Sequence, residues 1–298
     1  MSSKSFILNL SKKFSLLRNL YLYYNIYIRN FKFFFKSSQF GEDKKIIKFI
    51  NKEKGTYLDI GCFHPIRYNN TYSLYKLGWS GINIDLNPLS IDLFDIARPK
   101  DINICAAISN KTSYQELYFN HELSPLNTLE KNHTLFLSKH FGLKNLKKRT
   151  VKTKKINHIL RKNKVKDIDF LNIDIEGHEL KVLKSLDFNY FNVKVICVEI
   201  INYHNVSKKI KNNKKEIINL LRKKKYLNFL HHQDFEYSGL KIDDIKKIIK
   251  NKKILYDLGA DQRDNKWSAS KILTKISLTE IPDYITKNTN KYSDWIES

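Results

Sequence analysis

The chain is poor in the residues that clip or sharply bend a backbone, and poor in acid. Its 298 residues include nine glycines, five prolines, three cysteines and one methionine. Cys62, Cys105 and Cys197 each fall inside an apolar run. That placement suits small hydrophobes in a reducing compartment rather than a disulfide framework or a zinc cage, so the cytoplasm is the expected location. No Asp or Glu precedes Glu42. No apolar run reaches the roughly 18 residues of a spanning helix, because Arg18, Arg29 and Lys32 interrupt the richest stretch. That stretch is aromatic and charge-studded, and no small-residue cleavage site follows it, so it does not read as a secretory signal. GxGxxG and P-loop patterns are both missing, which argues against a pyrophosphate cradle. No repeat or low-complexity linker divides the chain.

What is present is basic. Lys and Arg number 54 against 30 acids, a formal charge of +24. Such a surplus draws a protein toward nucleic acid, anionic lipid or acidic glycan, although a general bias toward Lys, Asn and Ile produces it too. Residues 1–36 mix Phe, Tyr, Leu and Ile with Lys and Arg. They are expected to form a basic aromatic helix, lying either in an anionic membrane interface or packed on the domain with its cations in water. Residues 37–241 carry the main domain, and 242–298 an extension expected to be mostly helical.

Within the main domain, short apolar runs alternate with helical segments. Strands are expected at 56–60, 81–85 and 102–108, with helices at 70–79 and 89–97 between them. Less regular sequence follows, with strands at 113–119 and 149–153 around a polar loop near 120–133, then a helix at 156–163. The rhythm resumes with a strand at 168–174, a helix at 178–186 and a strand at 193–200. A basic helix at 207–225 and strands near 226–231 and 235–241 close the sheet. Strands and helices at this spacing are βαβ units, hence an α/β fold with a mostly parallel sheet and helices on both faces. Right-handed crossovers put the carboxyl ends of the strands on one rim, where such sheets bind ligands.

The chemistry-bearing residues sit at those ends. The first strand runs into Asp59-Ile60-Gly61-Cys62-Phe63-His64, where a glycine turn lets backbone approach a ligand. The second ends Asp85-Leu86-Asn87-Pro88. Asp85 is placed to accept both ribose hydroxyls of an adenosine ligand, or to cap the next helix.

SQFGEDKKI (38–46), YLDIGCFHP (57–65), NNTYSLYKLGWSGINIDLNP (69–88), RPKDINICAAIS (98–109) and DFLNIDIEGHELKVLKSLDF (169–188) together resemble the FkbM family of S-adenosylmethionine-dependent methyltransferases, in order over about 38–202. The resemblance implies a class I methyltransferase (Rossmann-like) sheet and O-methylation, commonly of a sugar hydroxyl in a glycan, polysaccharide, glycolipid or natural product. It implies that Asp59 and Gly61 line the methionine part of the cofactor, with Phe63 and His64 in the same loop. Asp85, with Asn87 beside it, would hold the ribose, Ala106 and Ala107 would flank the adenine, and Gln39 and Glu42 would fold over the cofactor. The chain departs from the family at Cys62, Phe63 and His64, where many members have small residues and another glycine.

The fourth strand of that rhythm releases Asp174, Glu176, His178 and Glu179 into one turn. Removing the proton of an acceptor hydroxyl needs a carboxylate of raised pKa or a neutral imidazole, so Asp174, Glu176 and His178 are the catalytic candidates. The alternative is that Asp174 and Glu176 cap the following helix while Glu179 and His178 are solvated. Glu199, at the end of the next strand, would face Asp174, and the pair could share a proton or hold a divalent cation; no metal is predicted. Substrate residues are expected from 110–150 and from the tail. The rivals are an RNA ribose methyltransferase and a non-catalytic membrane-associated binding protein. Base methylation is disfavoured, because Asp174-Ile175-Glu176-Gly177 stands where an Asn/Asp-Pro-Pro-aromatic turn is typical.

Overall fold

The computed structural model describes residues 15–38, 42–50, 52–200, 213–224, 226–229, 253–259 and 272–275. Helix α1 (Ser15–Tyr23) continues through a π-helical turn (Tyr24–Arg29) into a 3-10 turn (Phe31–Phe34), and α2 is Glu42–Ile50. Then come β1 (Thr56–Ile60), α3 (Tyr72–Lys76), β2 (Ser80–Asp85), α4 (Pro88–Ala97), β3 (Ile102–Cys105), β4 (Ala107–Ser109) and β5 (Tyr114–Phe119). After α5 (His133–Phe141), β6 (Lys147–Lys155) and α6 (Ile156–Lys162) follow β7 (Asp167–Ile173), α7 (Glu179–Ser185) and β8 (Asn192–Ile200). The remaining elements are α8 (Lys214–Lys223), β9 (Leu227–Phe229), β10 (Lys253–Gly259) and β11 (Ile272–Lys275).

Eight of the described strands form one sheet in the order β3-β2-β1-β7-β8-β10-β11-β9, parallel from β3 to β10 and antiparallel on either side of β11. The central strands are nearly continuous apolar runs because helices cover both faces. Side-chain parity divides them. Leu58, Ile60, Leu171 and Ile173 face a core closed by α6, α7 and α8, whereas Tyr57 and Phe170 face a second core with Ile46 of α2 and Leu74 of α3. A third cluster, Leu22 and Ile26 with Ile66, Tyr72 and Leu93, seats the N-terminal segment on the domain.

The expected βα order is present, with two differences. The run 102–108 divides at Ala106, whose N–H bonds back to the Asp85 carbonyl at 2.8 Å, and β4 then leaves to join β6 and β5 in a small separate sheet. The C-terminal region contributes β10 and β11 where a helix was expected. ILYDLG is a short, mostly apolar run that ends in glycine, and it pairs in parallel with the outer edge of β8. The expected strand at 235–241 and the first part of the basic helix lie outside the described residues. Among the cysteines Cys62 and Cys197 are buried, but Cys105 is exposed, and none of the three is in a disulfide.

Candidate active site

The chain leaves β1 toward β2 on one side, while β7 fills the other side, so a crevice opens over the carboxyl end of β1. The cleft there takes in about 570 Å³, a figure that includes space open to solvent. Gly61, Phe63, Asp85, Ala106 and Ala107 line it from the expected cofactor set. Asp174, Glu176 and His178 line it from the expected catalytic set. The opposite wall is Ser124, Pro125, Asn127 and Leu129, from the polar loop.

Gly61 has φ +82, and a Cβ there would lie 1.8 Å from the Asp174 carbonyl oxygen, so only glycine lets the turns after β1 and β7 touch. Phe63 takes φ 52, the left-handed conformation that glycine usually supplies, and its N–H donates to Asp85 Oδ2 at 2.9 Å. Asp85 Oδ1 accepts the Asn87 N–H at 2.8 Å, and burial pushes the carboxyl up to about 6. Each oxygen keeps a second lone pair, enough to accept two vicinal hydroxyls. Ala106 and Ala107 give a shallow floor beside Ile84, Leu86 and Ile108, suited to a flat ring. These residues fit an adenosyl ligand.

Four other expected cofactor contacts are placed elsewhere. Asp59 is fully buried on the α3 side of the sheet, since its parity is that of Tyr57 and not Ile60. Its carboxylate accepts Asn172 Nδ2 at 2.9 Å, Thr71 Oγ1 at 2.9 Å and Asn69 Nδ2 at 3.2 Å, which braces the loop after β1 from behind. His64 Nδ1 accepts the N–H groups of Ile66 and Arg67, while Nε2 lies 3.2 Å from Asn30 Nδ2. Burial and nearby arginines hold this imidazole neutral, its pKa lowered to about 3. It ties the N-terminal segment to the loop and does not line the cleft. Asn87 caps α4 through Oδ1 to the Leu89 N–H, and its amide donates to the Glu122 carbonyl. Glu42 is buried in the first turn of α2, away from the lining. Gln39 lies outside the described residues.

At the far end of the cleft the acids take separate tasks. Glu179 Oε1 accepts the N–H groups of Ile175 and Gly177 at 3.1 and 2.9 Å and so holds the turn, its carboxyl pushed by burial up to about 7. Glu176 sits at φ 55, held there by Thr128 Oγ1 donating to its carbonyl at 2.7 Å and by His133 Nε2, 2.9 Å from its carboxylate. Asp174 caps nothing. Burial, then the charges of Glu176 and Glu179, raise its pKa well above the usual range, and its carboxyl hydrogen bonds with that of Glu199. The register Ile173↔Val198 makes Asp174 and Glu199 neighbours at the rim. Burial and the Asp174 charge raise Glu199 also, so the two carboxyls titrate as a pair.

Oxygens of Asp174, Glu176 and Glu199 lie within 4.8 Å of one another, a spacing that also suits a divalent cation. His178 is 1 % exposed, with Nε2 2.9 Å from Ser109 Oγ and Nδ1 3.7 Å from Glu130 Oε2. Burial lowers its pKa, so it is a neutral, fixed wall rather than a solvated residue. The His178 ring and the Lys181 ammonium hold Glu130 down at about 2.

Sequence reasoning missed Ser109, Glu130 and His133, which surround the acid turn, and Gln115, which donates to Ser109 Oγ at 3.1 Å. Their signal was only the density of polar groups in 109–133. Asp85 and Asp174 open on one cleft, the first at the nucleoside end and the second at the acid end. No curated protein and no solved structure matches the chain. The family model for the methyltransferase FkbM domain matches residues 59–228, which hold Asp59, Gly61, Asp85 and the whole acid turn. Matching more than half the chain over the elements that build this cleft, it shows that the protein belongs to the FkbM methyltransferase family.

Proposed function

We propose that the protein is an O-methyltransferase that moves the methyl group of S-adenosylmethionine to a sugar hydroxyl of a glycan, polysaccharide or glycolipid. The observation that carries this reading is the single cleft shared by Asp85 and Asp174. When bound, the cofactor supplies an activated methyl group on a sulfonium. Asp85 would hold its ribose, Gly61 and the Phe63 loop its methionine end, and Ala106 and Ala107 its adenine.

The protein's own part is alignment and proton removal. Asp174 is half-buried in the cleft wall, whereas His178 is enclosed, so Asp174 is the group that reaches the acceptor hydroxyl and takes its proton. Glu199, protonated, donates to Asp174 and keeps it aimed. Glu176 raises the basicity of Asp174 by its charge, and His178 holds the turn through Ser109 and Glu130. The polar loop residues Ser124 and Asn127 offer hydroxyl and amide partners to an oxygen-rich acceptor.

The test is transfer of labelled methyl from S-adenosylmethionine to nucleotide sugars, oligosaccharides and glycolipids, with structured RNA in parallel. Alkali-stable label on a sugar acceptor supports the reading. Label on RNA ribose alone would replace it with the nucleic-acid alternative.

A further inference from the structure

A helix seated on a globular domain normally turns a polar face to water. The N-terminal segment does not. Its inner stripe, Leu22, Asn25, Ile26 and Asn30, is at most 3 % exposed and packs on the domain. Its outer stripe advances by three or four residues through Leu16, Leu20, Tyr23, Tyr27, Phe31 and Phe35, between 42 and 75 % exposed. Stacked and tilted ring contacts link Tyr23, Tyr27, Phe34, Phe31 and Phe35 into a continuous aromatic ladder. Arg29, Lys32 and Lys36 are exposed in the same segment and have no acidic partner among the described residues, whereas Arg18 is engaged by Asp92.

From this geometry we infer that the outer face of residues 16–36 docks on an anionic lipid bilayer. Interfacial aromatics flanked by cations, with no acid before Glu42, complement the headgroup region of such a surface. A protein partner would need its own acids to answer these cations, and the large rings would then be desolvated by apolar side chains instead of the mixed interface that suits Tyr and Phe. No described helix is long and apolar enough to cross a membrane, so the segment lies in the plane of the surface. The inner stripe holds it rigidly, through Asn30 and His64, to the loop that forms one wall of the cleft. Docking would therefore bring the methyltransferase site to membrane-borne acceptors. The inference stands apart from the acceptor chemistry, because binding is read without turnover.

The experiment is co-sedimentation of the full chain with phosphatidylcholine vesicles, with and without phosphatidylglycerol. One variant carries Arg29→Gln, Lys32→Gln and Lys36→Gln, and another Tyr27→Ser, Phe31→Ser and Phe35→Ser. Wild type is expected on the anionic vesicles only, with binding weakened by salt. The charge variant should lose roughly a hundred-fold in partitioning, about five-fold per cation, and the aromatic variant should fail to bind. Both should retain the wild-type melting temperature, since the altered side chains are exposed. Equal sedimentation with both vesicle types, or undiminished binding by the charge variant, overturns the inference. So does lipid-free dimerisation that the aromatic variant abolishes, since the face would then belong to a second copy.

Discussion

On the proposed reading Asp85 and Asp174 must both be ionised to work, and burial raises the pKa of each at the two ends of one cleft. Asp85 must be ionised to accept ribose hydroxyls, and its pKa stands at about 6 in the free protein. Cofactor affinity is therefore expected to be level above that value and to fall about ten-fold per pH unit below it. Asp85→Ala should weaken binding about 10²- to 10⁴-fold, the worth of two hydrogen bonds to a charged group. Calorimetry with S-adenosylmethionine between pH 5 and 8 checks both, and pH-independent affinity would remove Asp85 from the ribose.

Asp174, the proposed base, works in the same direction. As a base of raised pKa, it gains activity as pH rises through its ionisation, so the acid limb of kcat should lie well above the ordinary carboxylate range. Asp174→Asn should cost about 10²- to 10⁴-fold in kcat with cofactor affinity kept. Glu176→Gln removes the charge that ranks next after burial in raising Asp174, and should move the acid limb to lower pH. Glu199→Gln keeps a donor and should stay active, whereas Glu199→Ala should not. Activity should also persist in EDTA, because the pair is set up to share a proton. A strict Mg²⁺ requirement would reassign the three carboxylates to a cation.

The loop between β1 and α3 is the element on which the cofactor half depends, and it is braced by a buried cation. Arg98 is fully buried, donates to Thr71 Oγ1 at 2.8 Å, Asn69 Oδ1 at 2.6 Å and the Pro65 carbonyl, and lies among Tyr72, Tyr75 and Phe94. Thr71 and Asn69 in turn hold Asp59. Arg98→Ala removes the buried counter-charge 4.0 Å from Asp101, and is expected to cost about 3–5 kcal/mol. Calorimetric melting should show a drop of roughly 10 °C. Wild-type stability would show that the brace is idle.

None of this brace was legible in the sequence, although the strands were. Each central strand is a local apolar run, but Arg98 meets Pro65 and Asn69 only after the chain has traversed β2 and α4. Position along the strand, not parity, separates Asp59 from Asp85, since Asp59 pairs with Asn83 and Asp85 lies two residues further on. Asp59 shares the side of Tyr57 and turns into the layer under α3, while Asp85 ends its strand and faces the rim. His64 read as a cofactor residue because its partner Asn30 stands 34 positions away. The acid turn was recognised as chemical, but its division of labour depends on contacts with Ser109, Thr128 and His133 that no spacing rule discloses.

At the scale of the molecule, the sheet is not complete at residue 241. The edge of β8 is covered by β10, with residues paired in parallel from Ile254↔Val195 to Gly259↔Ile200, and β11 then joins β9 to that edge. Without residues 242–298, β8 would present the unpaired backbone of NVKVICVEI, a long β-branched strand of the kind that recruits other chains. β9 would lose its only described neighbour as well. Glu199 stands on this strand one residue before its end, so loss of the edge also loosens the donor that aims Asp174. A chain ending at residue 241 is therefore expected to elute as soluble aggregate in size-exclusion chromatography and to lack methyl transfer. A helical appendage would behave differently: its removal would leave a monomer with the wild-type melting temperature and an intact pH profile. That outcome would detach β10 and β11 from the catalytic sheet.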